Sequence, residues 1–125
     1  MAEAITTESF SNLISPFNYV ANSAEEKLLP IATKLNLGVI AMKTLGRGGL
    51  SGDVEQALRY VWRHDVDAAI VGMKKISEVE QNVAAADNFQ PITEKEKKQL
   101  QKVATEIIKE DRLNSEDGVV SPRKR

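Results

Sequence analysis

The sequence contains no cysteine and a single histidine, His64. Without cysteine the chain can form neither a disulfide nor a thiolate metal site, and it has no cysteine nucleophile. A single imidazole also excludes a histidine-rich metal site, so no metal centre is expected. No apolar run approaches the ~20 residues of a membrane-spanning helix, and the N-terminus lacks the basic and apolar regions of a secretory signal. These absences favour a cytoplasmic protein with no membrane partner.

The charges are almost balanced, with 17 basic and 18 acidic residues and a formal net charge of -1. Such a balance gives no electrostatic reason to expect a nucleic-acid partner. The 42% hydrophobic and 28% charged content of the 125 residues is typical of one globular domain. Because apolar periodicity ends near Asn114, we predict a domain over residues 1–113 and a disordered tail over 114–125.

Three short apolar runs, residues 13–20, 38–42 and 68–72, have the length and composition of strands. A helical pattern follows each run, and a fourth pattern ends the periodic region. The apolar residues expected to face inward are Ala57, Leu58 and Val61 in the second pattern, with Trp62 as a further candidate, and Val79, Val83 and Ala86 in the third. All four open with a capping residue and a Glu or Gln three positions later; the capping residues are Ser23, Asp53, Ser77 and Thr93. Pro30 predicts a kink or a later start in the first helix. This alternation predicts right-handed βαβ units and a parallel sheet.

Two strand ends carry candidate ligand-binding residues. The third run stops at Gly72, and the helix after it carries Gln81 and Asn82 near its first turns. A strand that leads through a glycine to a helix N-terminus can present free N–H groups to an anion. The glycine-rich loop, residues 46–49, could likewise approach a pyrophosphate, although it is not a GxGxxG fingerprint. An ordinary solvated loop is the alternative at both places.

The segments resemble, in order and spacing, the sixth to eighth strands and helices of the aldo-keto reductase family. The matching segments are residues 14–19, 28–32, 37–46, 56–61, 69–73, 80–86 and 91–96. Together they span nearly all of residues 4–108. The resemblance implies an α/β fold, a partial TIM (β/α)8 barrel made of the last three βα units plus a C-terminal helix. Because such barrels usually exceed 200 residues, it also implies a truncated chain.

The resemblance implies NADP as cofactor and a small-molecule carbonyl as substrate. It places Gln81 and Asn82 beside the adenine. It places residues 72–74 beside the 2′-phosphate, where Glu78 stands in the position of an Arg in many members. Met42 replaces the aromatic ring that stacks on the nicotinamide in many members. The implied cofactor-binding residues are Met42, Lys43, Leu45, Gly46, Gly72, Met73, Lys74, Gln81 and Asn82.

The family's catalytic Asp, Tyr, Lys and His lie on its first four strands, and no residue here corresponds to them. We therefore expect an aldo-keto reductase-like chain that is inactive alone. The alternative is a non-catalytic module whose edge strands, which carry Ile14 and Ile70, self-associate or pair with a complementary barrel half. Lys43 could be a buried catalytic lysine, but a structural ion pair is the commoner role. Packing roles are expected for Tyr19 and Tyr60. His64 is expected at the end of a helix, where a cationic imidazole interacts favourably with the helix dipole.

Overall fold

Residues 10–116 are described by the computed structural model of the chain, and they form a three-stranded sheet with helices. The strands are β1 (Asn12–Pro16), β2 (Gly38–Met42) and β3 (Ala68–Ala69), in the order β1-β2-β3. Both pairings are parallel, with Ile40 opposite Ile14 on one side and opposite Ala68 on the other. The predicted parallel sheet is therefore confirmed, and β1 and β3 are its edges.

Five α-helices accompany the sheet in residues 10–116. They are α1 (Ser23–Lys27), α2 (Leu29–Lys34), α3 (Val54–Trp62), α4 (Ile76–Asp87) and α5 (Glu94–Glu116). The break between α1 and α2 falls at Leu28, so Pro30 lies in the first turn of a new helix, where its missing N–H costs nothing. The predicted disordered tail lies outside the described residues, apart from its first three positions, which are the end of α5.

β1 and β3 are shorter than their apolar runs, whereas β2 matches its run, residues 38–42, and side-chain hydrogen bonds mark where the strands begin and end. After β1, the side-chain oxygen Oδ1 of Asn18 accepts hydrogen bonds from Val20 N at 2.9 Å and Ala21 N at 2.8 Å, and these bonds turn the chain out of the sheet. Before β3, the Asp67 carboxylate accepts a hydrogen bond from Val39 N at 2.7 Å. Ile70 N still donates to Ala41 O at 2.8 Å, so pairing continues just past β3.

The core lies on one face of the sheet, between the strands and the helices. On β2, Val39 and Ala41 point into it and alternate with half-exposed neighbours. The predicted inward face of α3 is confirmed, since Ala57, Leu58 and Val61 are fully buried. The other core residues include Leu13, Phe17, Leu29, Ala32, Leu50, Tyr60 and Leu100.

The inward face predicted for the helix after β3 is wrong. Val79 and Val83 of α4 are 42% and 53% exposed, and Ile76 at its start is 79% exposed, whereas Ala85 is buried. The helix also begins before Ser77, and the Glu78 carboxylate accepts hydrogen bonds from the backbone ahead of it. Apolar spacing predicts which residues of a helix form an apolar stripe, but only the tertiary arrangement decides whether another element packs against that side of the helix.

A cluster of polar and aromatic side chains holds α1 against α3. The Tyr60 hydroxyl donates to the Glu25 carboxylate at 3.1 Å, and His64 Nε2 lies 3.1 Å from the other oxygen of Glu25. The His64 ring stands edge-on to Phe17, with ring centroids 4.9 Å apart, while Tyr19 packs on Tyr60 at 4.8 Å. Burial raises the pKa of Tyr60 to about 12. These contacts agree with the packing roles expected for the two tyrosines, and His64, just after α3, packs with them.

The first turn of α5 is held by a carboxylate that serves two functions. Glu96 accepts hydrogen bonds from Thr93 N and Thr93 Oγ1, both at 2.8 Å, which confirms the predicted capping box. Its Oε2 also lies 2.6 Å from Nη2 of Arg59, whose side chain is 8% exposed. This contact is an ion pair rather than an aligned hydrogen bond, because Nη2 has no hydrogen-bond partner of good geometry. The interaction with Arg59, and then the bonds from Thr93, lower the pKa of Glu96 to about 2.

We predict that Glu96 makes the stability of the chain depend on pH. Its pKa in the folded chain is below the ordinary 4.5, so its contribution is full above that value and is lost as pH falls toward 2. Glu96→Gln should lower the free energy of unfolding by about 1.5–3 kcal/mol at pH 7, because the buried Arg59 loses the nearer of its two acidic partners and keeps the exposed Glu55 at 3.7 Å. The difference from wild type should shrink near pH 2.5. Urea titrations followed by circular dichroism at the two pH values measure the free energy of unfolding of the variant and of wild type.

Glu94→Gln is the matched control, since Glu94 is an exposed glutamate of the same helical turn. It should leave the free energy of unfolding within about 0.5 kcal/mol of wild type. A Glu96→Gln variant as stable as wild type at pH 7 would contradict the assigned role of the pair.

Candidate functional site

The candidate site lies at the carboxyl ends of β2 and β3, together with the loops and helices that follow them. Met42 ends β2 and is half-buried on the sheet face opposite Ala41. The next residue, Lys43, has φ of 54°, in the left-handed region, so the chain turns sharply there. Its carbonyl oxygen accepts hydrogen bonds from the Asn18 side-chain amide and from Gly46 N, both at 2.9 Å. The Lys43 side chain is exposed, so the alternative of a buried lysine is wrong.

A buried threonine joins the two strand ends. Thr44 is 1% exposed, and its hydroxyl donates to Ile70 O at 3.0 Å. This bond satisfies a carbonyl just beyond β3 and fixes the spacing between the two loops that leave the sheet. Thr44 is not among the site residues predicted from the sequence. The sequence feature that could have indicated it is a hydroxyl residue directly after a buried strand.

The glycine-rich loop is a compact set of turns rather than an open cradle. Residues 46–48 form a 3₁₀ turn, with φ of 57° at Gly46, 57° at Arg47 and 97° at Gly48. The amides of residues 48–51 donate to carbonyls of residues 45, 46 and 48 within the same loop. These N–H groups are therefore already paired, so the structure does not support the hypothesis that the loop cradles a pyrophosphate. Leu45 is half-buried against the core.

Gly49 is explained by helix packing. A Cβ placed on Gly49 would lie 2.8 Å from Cδ1 and 3.3 Å from Cγ1 of Ile107, on α5. The absence of a side chain therefore lets α5 approach the loop closely. This contact ties the loop to the C-terminal helix and determines where the following residues, which enter the site, can lie.

The segment between β3 and α4 is exposed. Met73 is 44% exposed, and a Cβ on Gly72 would meet no atom within 4 Å. The Lys74 side chain is also exposed. The amides of Lys74 and Lys75 order the end of this segment by donating to the Glu78 carboxylate.

An open cleft of about 570 Å³ lies between the start of α3 and one side of α4. Gln81 and Asn82, which the family resemblance places beside an adenine, both line one wall. The remaining predicted residues do not line it; they are Met42, Lys43, Leu45, Gly46, Gly72, Met73 and Lys74. The lining that sequence reasoning missed consists of Ser51, Gly52, Val54, Glu55, Gln56, Ala84, Ala85 and Asn88.

The chemistry of the cleft is that of neutral amides. Gln56 comes from the first turn of α3, and Gln81, Asn82 and Asn88 come from α4, while Glu55 is the single charged residue of the lining. Each carboxamide offers both donors and an acceptor, which suits the edge of a nitrogen heterocycle. The Asn88 amide already donates to Ala84 O at 3.0 Å. The cleft can therefore bind a flat polar ligand, but its walls offer no acid or base pair for catalysis.

Other classes of site can be tested in the same way. Within residues 10–116 no group of three acidic or histidine side chains could hold a metal ion. No helix of that part of the chain is long and apolar enough to cross a membrane.

Comparison with solved structures identifies the fold. The chain is similar to aldo-keto reductase AKR11C1 from Bacillus halodurans, with a TM-score of 0.61 for the apo form and 0.60 for the holo form. Sequence identity is 19% in both cases, and 81% of this chain is covered. The match spans 46% and 45% of those chains, so this chain corresponds to less than half of that protein. The predicted partial barrel is thus confirmed as a fold. No protein-family profile and no curated protein sequence matches the chain.

We predict that Gly49→Ala destabilises the chain through Ile107. The new methyl group would overlap Ile107 Cδ1, and such overpacking typically costs about 1–3 kcal/mol. In the background of Ile107→Val, which removes Cδ1, the cost of Gly49→Ala should fall to less than half. Thermal unfolding of wild type, the two single variants and the double variant measures the coupling between Gly49 and Ile107. Gly52→Ala is the control, because a Cβ there meets nothing within 4 Å. Equal effects of the two glycine substitutions would contradict the packing account.

Proposed function

We propose that this chain is part of an aldo-keto reductase-type barrel and supplies the adenosine-binding side of its nicotinamide dinucleotide site. The observation that carries the proposal is the cleft, which has Gln81 and Asn82 on one wall and the α3 start on the other. Solved structures with this fold are of an aldo-keto reductase. The NADP cofactor and the carbonyl substrate come from the family resemblance and remain predictions for this chain, as does a cytoplasmic location.

The proposed ligand matches the chemistry of the walls. Adenine offers donors and acceptors along its edge, and the carboxamides of Gln56, Gln81 and Asn82 can pair with either kind. The apolar parts of the lining, Val54 and Ala85, can contact the ring face. A volume of about 570 Å³ lies within the usual range for small-molecule sites. The cleft is open to solvent, so we expect weak binding.

We propose that the isolated chain does not reduce carbonyls. That reaction needs a proton donor beside the reacting carbonyl. Tyr60 is buried in α3 and donates to Glu25, and its raised pKa of about 12 makes it a poorer acid than an ordinary tyrosine. Tyr19 packs edge-on against Tyr60. Neither tyrosine lines the cleft, so the described residues offer no donor at the proposed site.

Association is the second candidate function, and exposed apolar surface favours it. Ile14 and Ile70 are 47% and 52% exposed, and alternation along the strands places both on the sheet face away from the helices. A second exposed apolar stripe, formed by Ile76, Val79 and Val83, lies on α4. Burying several hundred Å² of such surface at ~25 cal/mol per Å² contributes several kcal/mol, before the entropic cost of association. We propose a complementary barrel half, or a second copy, as the partner.

We predict that the chain binds nicotinamide dinucleotides through Gln81 and Asn82. Replacing either with Ala should raise the Kd about 5–10-fold, since each loses about one hydrogen bond to the ligand. Isothermal titration of the full chain with NADH and NADPH measures the affinities, and no aldehyde should be reduced in the same mixtures. Gln99→Ala, an exposed glutamine on α5 outside the cleft, is the control. Wild-type chain that binds neither dinucleotide would refute the proposed function.

We predict that introducing charge on the exposed apolar surface weakens self-association. Ile14→Lys and Val83→Lys should each raise the dissociation constant about tenfold or more, because a buried ammonium group loses its hydration. Both positions are half-exposed, so the folded chain should tolerate lysine. Sedimentation velocity over a concentration series measures the effect, with Gln99→Lys as the control. A cooperative melt together with a wild-type monomer at every concentration would rule out self-association.

A further inference from the structure

The N-terminus of α4 is occupied by the protein's own carboxylate. Glu78 Oε2 accepts hydrogen bonds from Lys74 N at 2.6 Å and from Lys75 N at 3.3 Å. The bond from Lys74, then that from Lys75 and the charges of both lysines, lower the pKa of Glu78 below its ordinary value. The amides of Lys74 and Lys75, just ahead of the helix, are thus already bound to a fixed negative charge rather than open to an external anion.

Glu78 lies next to the proposed adenosine site. It precedes Gln81 by three residues and Asn82 by four, so the three side chains share one side of α4. One helical turn rises about 5.4 Å, which is close to the span from an adenine ring to the 2′ oxygen of its ribose. With the base at Gln81 and Asn82, a ribose directed toward the positive N-terminal end of the helix therefore comes within reach of Glu78.

A carboxylate at this place distinguishes a ribose with a free 2′-hydroxyl from a ribose with a 2′-phosphate. A ribose with free hydroxyls can donate a hydrogen bond to an ionised carboxylate, and acidic side chains fill this role in other dinucleotide sites. A 2′-phosphate has no proton to donate near neutral pH and is repelled by the carboxylate. Lys74 and Lys75 offset part of that repulsion, but their side chains are exposed and their charges are screened by water.

We infer that Glu78 is a specificity-determining residue that makes the cleft prefer an adenosine with a free 2′-hydroxyl, as in NAD, over one with a 2′-phosphate, as in NADP. This inference rests on the proposed function, because it needs the base to lie at Gln81 and Asn82. It differs from the cofactor preference that the family resemblance implies, since the carboxylate stands where many members have an arginine.

The test is a comparison of two pairs of ligands, NADH with NADPH and 5′-ADP with 2′,5′-ADP. Each is titrated calorimetrically into the full chain, and only the 2′ substituent differs within a pair. Wild-type chain should bind the 2′-hydroxyl form about tenfold tighter. Glu78→Gln removes the charge while keeping the shape and should bring the ratio close to one, and Glu78→Arg should reverse it. Circular dichroism verifies that α4 remains folded in both variants.

Glu80→Gln is the matched control. It removes the same charge from the same helix, two residues further along and so on a different side, and it should leave the ratio unchanged. Tighter binding of the 2′-phosphate forms by wild type, or an unchanged ratio in Glu78→Gln, would overturn the inference while leaving the proposed function intact. Wild-type chain that binds none of the four ligands would overturn both.

Discussion

The pairing of β2 with a parallel neighbour on each side is the constraint on which the remaining structure depends. β2 is the only strand of the sheet with both edges hydrogen-bonded, and its Val39 and Ala41 form the floor of the core. Parallel neighbours require crossover connections, so α2 and α3 must both lie on the same face of the sheet. That face becomes the core, and the other face is left half-exposed, with Ile14 and Ile70 on it.

Side-chain oxygens replace missing backbone partners at several places where regular structure stops. The Asn18 side chain accepts a hydrogen bond that turns the chain after β1. The Asp67 carboxylate, just before β3, accepts a hydrogen bond from the backbone of β2, and the Thr44 hydroxyl donates to the backbone carbonyl just beyond β3. Glu78 and Glu96 do the same at the N-termini of α4 and α5. Since a short sheet has many terminal N–H and C=O groups, these bonds contribute as much to the loop geometry as the strands do. They also fix which groups remain available to a ligand.

The two parts of the expected dinucleotide site, the glycine-rich loop and the Gln81–Asn82 pair, differ in whether their polar groups are already paired within the chain. The glycine-rich loop satisfies its own amides and packs Gly49 on Ile107, which leaves it little capacity to hold phosphate. Gln81 and Asn82, by contrast, line an open cleft with their side chains. The proposed function therefore rests on the adenosine end of a ligand rather than on its pyrophosphate.

The sequence by itself determined the order of strands and helices and the parallel sheet, because apolar runs of strand length alternate with capped helical patterns. The partial barrel followed from the resemblance of these segments to the aldo-keto reductase family. It also determined the capping of α5 by Thr93 and Glu96, since both partners are local. The tertiary structure alone decided that Val79 and Val83 face outward, that Glu78 rather than Glu80 caps α4, and that Gly49 contacts Ile107. It also decided that Gln81 and Asn82 share a cleft with Gln56, while Met42 and Lys43 lie outside it. The physical reason is that periodicity and capping depend on neighbours along the chain, whereas a cleft and a covered face depend on contacts between segments far apart in sequence.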